Sequence, residues 1–384
     1  MIIPKSLEIA SGVHLIAVSD DLTTISITYP RGFRSDIPRI GGSAHLFEHL
    51  LLAPTREHDP YDTLEYLGFL LSAQTRRDYT TVSATGPSEH AIPAIRSVMN
   101  TVSDLHRSDD QLQSQVSVVK AEVYEKGAMS ENSDPYWVGV LKQTFSSWKD
   151  AHDPYLSPEH LERLSIDHWN RLATDHFNLS SAAITVVSGL DPSVVLTTLG
   201  TDTIPAAQGP GLDDSVNESI EDAAKVPGRS DLFAAVLVDP QGSVEMWESL
   251  IAGRILALHQ GLQMEYGIFN EVGLESSPTH LTFVAAEPID WSTFRQAFSY
   301  GPGDDNFLRL YDRARTGLIV EQRQFWSKPH RRAGHFGWLR LAEKRSKSQR
   351  MVESLLDTSP VEVFHAMRHI QSGRLIGREE CLGI

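Results

Sequence analysis

The sequence has little cysteine and no long apolar run, and each shortage excludes a class of protein. Cys381 is the one cysteine among 384 residues, so an intrachain disulfide and a structural zinc site built from thiolates are both excluded. No run of 18 or more apolar residues occurs, which excludes a helix that spans a membrane. The first residues lack the basic and apolar pattern of a secretion signal, so we expect a cytoplasmic protein with no membrane partner.

Basic residues are also scarce relative to acidic ones. Lysine and arginine number 34 and aspartate and glutamate number 50, which gives a formal net charge of -16. Because the phosphates of a nucleic acid would repel such a chain, we expect no nucleic-acid partner. The apolar and charged fractions, 41% and 22%, are those of an ordinary globular protein, and the length predicts more than one domain.

One order of elements occurs twice along the chain. In the first half, alternating and helical patterns predict strands over 7–18, 22–29, 69–73, 79–84 and 182–188, and helices over 42–53, 61–67, 90–105, 109–129 and parts of 158–177. In the second half they predict strands over 232–238, 266–273 and 279–286, a helix over 244–262, and helices from residue 306 to the end.

Between the two halves lies a stretch that predicts a linker. Residues 205–229 are rich in proline, glycine and polar residues and hold few large apolar ones. We therefore predict an α+β protein of two related repeats, residues 1–204 and residues 230–384, each a mainly antiparallel sheet covered by helices.

The helix predicted after Gly42 has the spacing of a metal site. His45 and His49 are four residues apart and share one helical face, and Glu48 lies on the same side. Two neutral imidazoles can hold Zn²⁺ while the neighbouring carboxylate takes a proton from the attacking water, which is the inverted zinc signature H-x-x-E-H. With 16 histidines in the chain, chance would produce about 0.04 such matches, so the motif is specific.

Zinc needs a third protein ligand, and the helix predicted over 109–129 offers two candidates. Glu122 and Glu125 are three residues apart, so both can reach a shared face. Gln115, Val119 and Glu122 form one stripe at helical spacing, which favours Glu122. The spacing alone leaves both glutamates open.

With these residues, the first half resembles the insulinase/pitrilysin family of zinc peptidases, which includes the mitochondrial processing peptidases. The resemblance rests on the H-x-x-E-H motif, on Val119-Lys-Ala-Glu122 about 75 residues further on, and on the segment over 68–80. It implies one Zn²⁺ per chain held by His45, His49 and Glu122, with Glu48 as the general base. It also implies that the two repeats form one half of a clamshell.

The resemblance further implies where substrate binds and where this chain departs from the family. An extended peptide would pair as an added strand with Ser72, Ala73, Gln74 and Thr75, and Tyr266 would contact substrate from the second half. Gln115 supports the ligands where the family usually has a glutamate, so it brings no charge. No arginine accompanies Tyr266, and we expect the second half to lack the family's last strand.

These observations predict a zinc metalloendopeptidase that cleaves an extended peptide, such as a precursor or leader peptide. The absent arginine favours a homologous second subunit, a heterodimer over a homodimer, with this chain carrying the zinc. The absent arginine and Gln115 leave open a non-catalytic binding or scaffold subunit of a peptidase complex with a vestigial zinc site. A metal-dependent hydrolase of another bond type is a third hypothesis.

Overall fold

A computed structural model shows two β-sheets with helices packed on them. It describes residues 6–18, 21–55, 58–76, 79–129, 158–200, 233–239, 246–260, 263–265, 279–284, 301–326, 328, 333–334, 336–337, 340–341, 354–372 and 374–376.

The first sheet has six strands: β1 Ser6–Ala10, β2 Val13–Ala17, β3 Leu22–Tyr29, β4 Leu70–Thr75, β5 Thr80–Pro87 and β6 Ala183–Ser188. Their order across the sheet is β1-β2-β6-β3-β5-β4. All neighbours are antiparallel except β2 and β6, which run parallel. β4 therefore lies at one edge of the sheet, where among the described residues no strand covers its outer side.

Six α-helices belong to the described part of the first half. They are α1 Ser43–Leu52, α2 Pro60–Tyr66, α3 Ala91–Ser103, α4 Asp109–Met129, α5 Ile166–His176 and α6 Pro192–Leu199. Short 3-10 helices occur at Phe33–Ser35, Ser88–His90 and Pro158–Arg163. Within the described ranges, no helix combines the length and the apolarity that crossing a membrane requires.

The second half repeats the strand order of the first. Its elements are β7 Phe233–Asp239, α7 Met246–Gln260, β8 Gln263–Glu265, β9 Thr279–Val284, α8 Asp305–Trp326, α9 Ser354–Asp357, α10 Pro360–Ser372 and β10 Arg374–Ile376. The sheet order β10-β7-β9-β8 matches β6-β3-β5-β4 element by element. The predicted α+β fold of two related repeats is confirmed.

One prediction for the second half is wrong, and others lie outside the described residues. The second half does not lack a closing strand, because β10 pairs antiparallel with β7. The strand predicted over 266–273 and the linker predicted over 205–229 fall outside the described residues. On the side of β9 away from β7, the described partner strand is β8, which lies just before the predicted strand.

β3 is buried on both faces, because the second half covers the face that the helices leave open. Ile25, Ile27 and Tyr29 belong to the core formed with the helices of the first half. On the other face, a Cβ at Gly337 would lie 2.5 Å from the Thr28 hydroxyl oxygen. A chain segment can approach the sheet this closely only at a glycine. The sheet under the helices of the candidate site is therefore covered on its other face by the second half.

A buried histidine next to α1 makes the fold sensitive to acid. The His176 ring packs edge-on against Phe47 of α1, with 4.9 Å between ring centroids. Burial, together with the positive charge of Arg31, lowers the pKa of His176 to about 3. In the unfolded chain a histidine titrates near 6.5. Between these values the unfolded state binds more protons, so stability is lost as pH falls below about 6.5.

We therefore expect a steeper loss of stability on acidification in the natural chain than in His176→Phe. Between pH 6.5 and pH 5 the natural chain should lose about 1.6 kcal/mol more of its free energy of unfolding than the variant does. Urea unfolding of the metal-free protein at the two pH values measures it. Parallel slopes in the two proteins would show that His176 does not control acid stability.

Candidate metal centre and active site

The N-terminus of α1 is fixed by Asp36, a buried residue outside the helix. Its carboxylate accepts hydrogen bonds from the backbone N–H of Gly42 at 2.8 Å and of Ala44 at 2.7 Å. The Ser43 hydroxyl donates to the same carboxylate at 3.1 Å. These bonds satisfy donors that a helix start leaves unpaired, and they place a negative charge at the positive end of the helix dipole.

The C-terminus of α1 is fixed by Arg107, which precedes α4. Its guanidinium donates to the carbonyl oxygens of Leu50 at 2.5 Å and of Leu51 at 2.6 Å. Only 3% of Arg107 is exposed, so these bonds lie out of water. Both ends of the histidine-bearing helix are thus held by charged side chains that lie outside it.

Removal of the Asp36 carboxylate should destabilise the protein. We expect Asp36→Ala to lower the free energy of unfolding by about 2–3 kcal/mol, because buried N–H groups lose a charged acceptor. Asp36→Asn, which keeps one acceptor oxygen, should lose less. Asp62, exposed in the first turn of α2, provides a control whose alanine variant should change stability by at most about 0.5 kcal/mol. Equal losses at Asp36 and Asp62 would contradict the capping role.

Three side chains from α1 and α4 converge on one point. The Nε2 atom of His45 lies 3.8 Å from Glu122 Oε2, and the Nε2 atom of His49 lies 3.6 Å from Glu122 Oε1. One ligand atom from each of the three residues lies within 4.8 Å of the others. The convergence arises because α4 packs directly against α1. Glu125, the other candidate, is exposed and does not belong to this cluster.

The donor set fits a zinc ion. Zinc bonds to nitrogen and oxygen of about 2.0–2.1 Å at tetrahedral angles place ligand atoms about 3.3 Å apart. The histidine–glutamate separations of 3.8 Å and 3.6 Å are close to that value. Two imidazoles and one carboxylate are also the set of a catalytic zinc, which keeps a fourth position for water or substrate.

Gln115 contacts one of the histidines. Its Oε1 lies 3.3 Å from Nδ1 of His49. An acceptor at Nδ1 favours the tautomer that carries its proton there and leaves Nε2 for a metal. The glutamine therefore orients the ring without adding a charge.

Glu48 is held next to this cluster by the edge strand. It is 7% exposed, and the hydroxyl of Thr75 donates a hydrogen bond to its Oε2 atom. Glu48 lines the same cleft as the three candidate ligands. From the sequence, Thr75 was expected only to contact substrate. Its hydrogen bond to Glu48 could not be predicted from a local pattern, because β4 and α1 are separate elements of the chain.

The cluster opens into a cleft of about 460 Å³. All four predicted substrate-strand residues line it, together with others that the sequence did not single out: Leu52, Ala53, Pro54, Tyr61 and Leu71. Tyr266 lies outside the described residues. Burial first, and then the negative charges of Glu48, Asp59 and Glu122, raise the pKa of Tyr61. The phenol therefore stays protonated and can donate a hydrogen bond into the cleft.

Comparison with known proteins bears directly on these residues. Residues 15–138 match the insulinase family, peptidase family M16. The matched span contains His45, Glu48, His49 and Glu122, and the resemblance predicted from the sequence is confirmed over this part of the chain. The family points to a peptidase. No curated protein matches the sequence.

Solved structures share the fold over nearly the whole chain. An M16-like peptidase from Alicyclobacillus acidocaldarius matches with a TM-score of 0.69 at 14% identity, covering 97% of this chain and 96% of the other. A protease from Helicobacter pylori gives 0.65 at 13%, covering 97% and 99%. A chain of complex III2 from Candida albicans, with Inz-5 bound, gives 0.60 at 13%, covering 98% and 97%. At such identities the likeness is one of fold, so activity has to be argued from the site.

Proposed function

We propose that this chain is a zinc-dependent metalloendopeptidase that cleaves an extended peptide. The observation that carries the proposal is the convergence of His45, His49 and Glu122 from two helices, with Glu48 in the same cleft. A cluster that served only the fold would have no need of a further buried carboxylate in the same cleft as two imidazoles and a third donor. The match to a peptidase family over the same residues supports the reaction type.

Each of the four side chains has a chemical role in this proposal. His45, His49 and Glu122 would hold one Zn²⁺, which supplies Lewis acidity when bound. Glu48 accepts the proton of the water that attacks the peptide carbonyl and then passes it to the leaving amine. Because Glu48 is 7% exposed, bulk water competes little for that proton.

The non-catalytic alternative is less well supported. A subunit that only binds or scaffolds has no need to keep all three donors and the base in one cleft. The glutamine at position 115 still contacts His49 at 3.3 Å, so the change from the family's glutamate leaves the orienting contact in place. Zinc peptidase chemistry is therefore the better proposal.

The substrate would bind as a strand next to β4. β4 is the edge strand of the first sheet, and Leu71 to Thr75 line the cleft next to Glu48. Backbone groups on such an edge can pair with an added peptide whatever its side chains are. A precursor or leader peptide, which is extended before cleavage, suits this mode of binding.

We also propose that a homologous second subunit closes over the cleft. In the described residues no arginine lines the cleft, and in this proposal the partner chain supplies one as a donor for the developing oxyanion. A missing donor of this kind costs about 10²–10³ in rate in other hydrolases.

The test uses metal-free chain reloaded with zinc, a peptide library and mass spectrometry, with and without the homologous second subunit. Cleavage should require zinc, should be weak for the chain alone, and should rise about 10²–10³-fold with the partner. A folded chain that binds no zinc and cleaves no peptide in either arrangement would contradict the peptidase. Full activity of the chain alone would contradict the need for a partner.

A further inference from the structure

We infer that Thr75 is a positioning residue that orients the Glu48 carboxylate for proton transfer. The inference rests on the proposed function of Glu48 and concerns the strand that binds substrate. Thr75 is the last residue of β4 and only 7% of it is exposed. By contrast, Ser72 and Gln74 on the same strand are exposed. The Thr75 side chain thus faces inward, where its hydroxyl donates to Glu48 Oε2.

Thr80 carries the other hydroxyl that Thr75 contacts, and it competes only weakly for the Thr75 proton. Thr80 lies directly opposite Thr75 on β5. Its hydroxyl donates to the Arg31 carbonyl at 2.8 Å, and a carbonyl oxygen can only accept. The two threonine oxygens are 3.3 Å apart, a longer contact than the Arg31 bond. Since the Thr80 proton is used on Arg31, Thr80 could only accept from Thr75, and it would do so across this longer contact. The ionised Glu48 carboxylate also only accepts, and it lies closer. The single Thr75 proton is therefore directed to the carboxylate.

This contact fixes one of the two carboxylate oxygens. The β-branched side chain of Thr75 has few χ1 choices, and the paired backbone of β4 and β5 fixes its Cα. The bond to Oε2 therefore limits the orientations that the Glu48 carboxylate can take. The base is thus attached to the strand that pairs with substrate. The distance and angle between the peptide carbonyl and the base would then stay fixed when substrate binds.

The expected signature is a loss in kcat with little change in KM. Thr75→Val keeps the shape and the strand propensity but removes the donor. A hydrogen bond to a charged group of this kind corresponds to a drop in kcat of about 10- to 100-fold. KM should change less than about twofold, since the backbone of β4 remains to pair with substrate. Thr75→Ser, which restores the hydroxyl, should recover most of kcat.

The experiment measures kcat, KM and zinc content for the zinc-loaded enzyme with its partner subunit. Thr85→Val is the matched control, because Thr85 shares a hydroxyl contact with Thr24 at 2.8 Å on the same sheet and does not line the cleft. In a Glu48→Gln background, Thr75→Val should add no further loss. An equal loss in Thr75→Val and Thr85→Val, or no rescue by serine, would overturn the inference.

A structural readout tests the same inference without activity. Crystal structures of the natural chain and of Thr75→Val should show the Glu48 carboxylate rotated in the variant, with His45 and His49 unmoved. An unmoved carboxylate in Thr75→Val would overturn the positioning role. A natural chain that binds zinc and cleaves nothing, even with its partner, would instead contradict the proposed peptidase, while the crystallographic comparison would still decide the role of Thr75.

Discussion

Glu48→Gln should abolish peptide hydrolysis while the protein still binds zinc. The amide has the shape of the carboxylate but cannot accept the proton of the attacking water, and general acid–base catalysis of this kind contributes about 10²–10⁴ in rate. Glu48 is separate from the group of His45, His49 and Glu122 that can hold a metal, so the donor set stays complete. Turnover of a cleaved peptide and zinc content by competition with a chelating dye measure the two effects.

Two comparisons make this result specific. His49→Ala should lose zinc and activity together, because it removes one of the proposed ligands. Glu125→Gln makes the same chemical change at an exposed position of α4 and should leave both unchanged. Equal zinc loss in Glu48→Gln and His49→Ala would show that the assigned roles are wrong.

Glu122→Ala should lower zinc affinity sharply, whereas Glu125→Ala should lower it little. Glu122 approaches both histidine Nε2 atoms, at 3.8 Å and 3.6 Å, and supplies the only carboxylate in the donor set found among the described residues. Loss of a ligand should exceed the roughly 10- to 100-fold effect typical of a residue that only supports one. Gln115→Ala, which removes the contact to His49 Nδ1, should stay within that smaller range.

Zinc titration of the three variants gives the ranking directly. The expected order of loss is Glu122→Ala, then Gln115→Ala, then Glu125→Ala. A larger loss in Glu125→Ala than in Glu122→Ala would move the third ligand by one helical turn and would refute the assignment made from both spacing and structure.

The candidate metal ligands on α1 and the neighbouring Glu48 could be singled out from the sequence because their signal is local. His45, Glu48 and His49 fall within one turn and a half of α1, so their spacing alone places them on one side. Glu122 lies on a second helix, α4. The stripe that it forms with Gln115 and Val119 favoured it over Glu125. Spacing alone could not show that Glu122 lies close to the two histidines, and the packing of α4 on α1 brings them together.

The residues that hold this site in place could not be predicted, because each acts across the fold. Asp36 caps α1 from a loop six to eight residues before the groups that it binds, and no N-cap pattern reaches that far. Arg107 binds α1 from 56 and 57 residues away. Thr75 meets Glu48 only because the end of β4 lies next to α1.

The closing strand of the second half was missed for a related reason. β10 has three residues, Arg374–Ile376, and directly follows α10. Three residues are too few for an alternating pattern to be recognised. The strand exists through its antiparallel pairing with β7, which lies about 140 residues earlier. Long-range pairing of this kind depends on the assembled sheet and not on local propensity.

The most direct test of the metal centre is anomalous diffraction at the zinc edge from crystals of the zinc-loaded chain, since it needs neither substrate nor partner. We expect one peak per chain, about 2.0–2.2 Å from Nε2 of His45, Nε2 of His49 and a carboxylate oxygen of Glu122. Glu48 should lie beyond bonding distance of that peak. The absence of a peak between these side chains, or a peak coordinated by Glu48 or Glu125 in place of Glu122, would contradict the account.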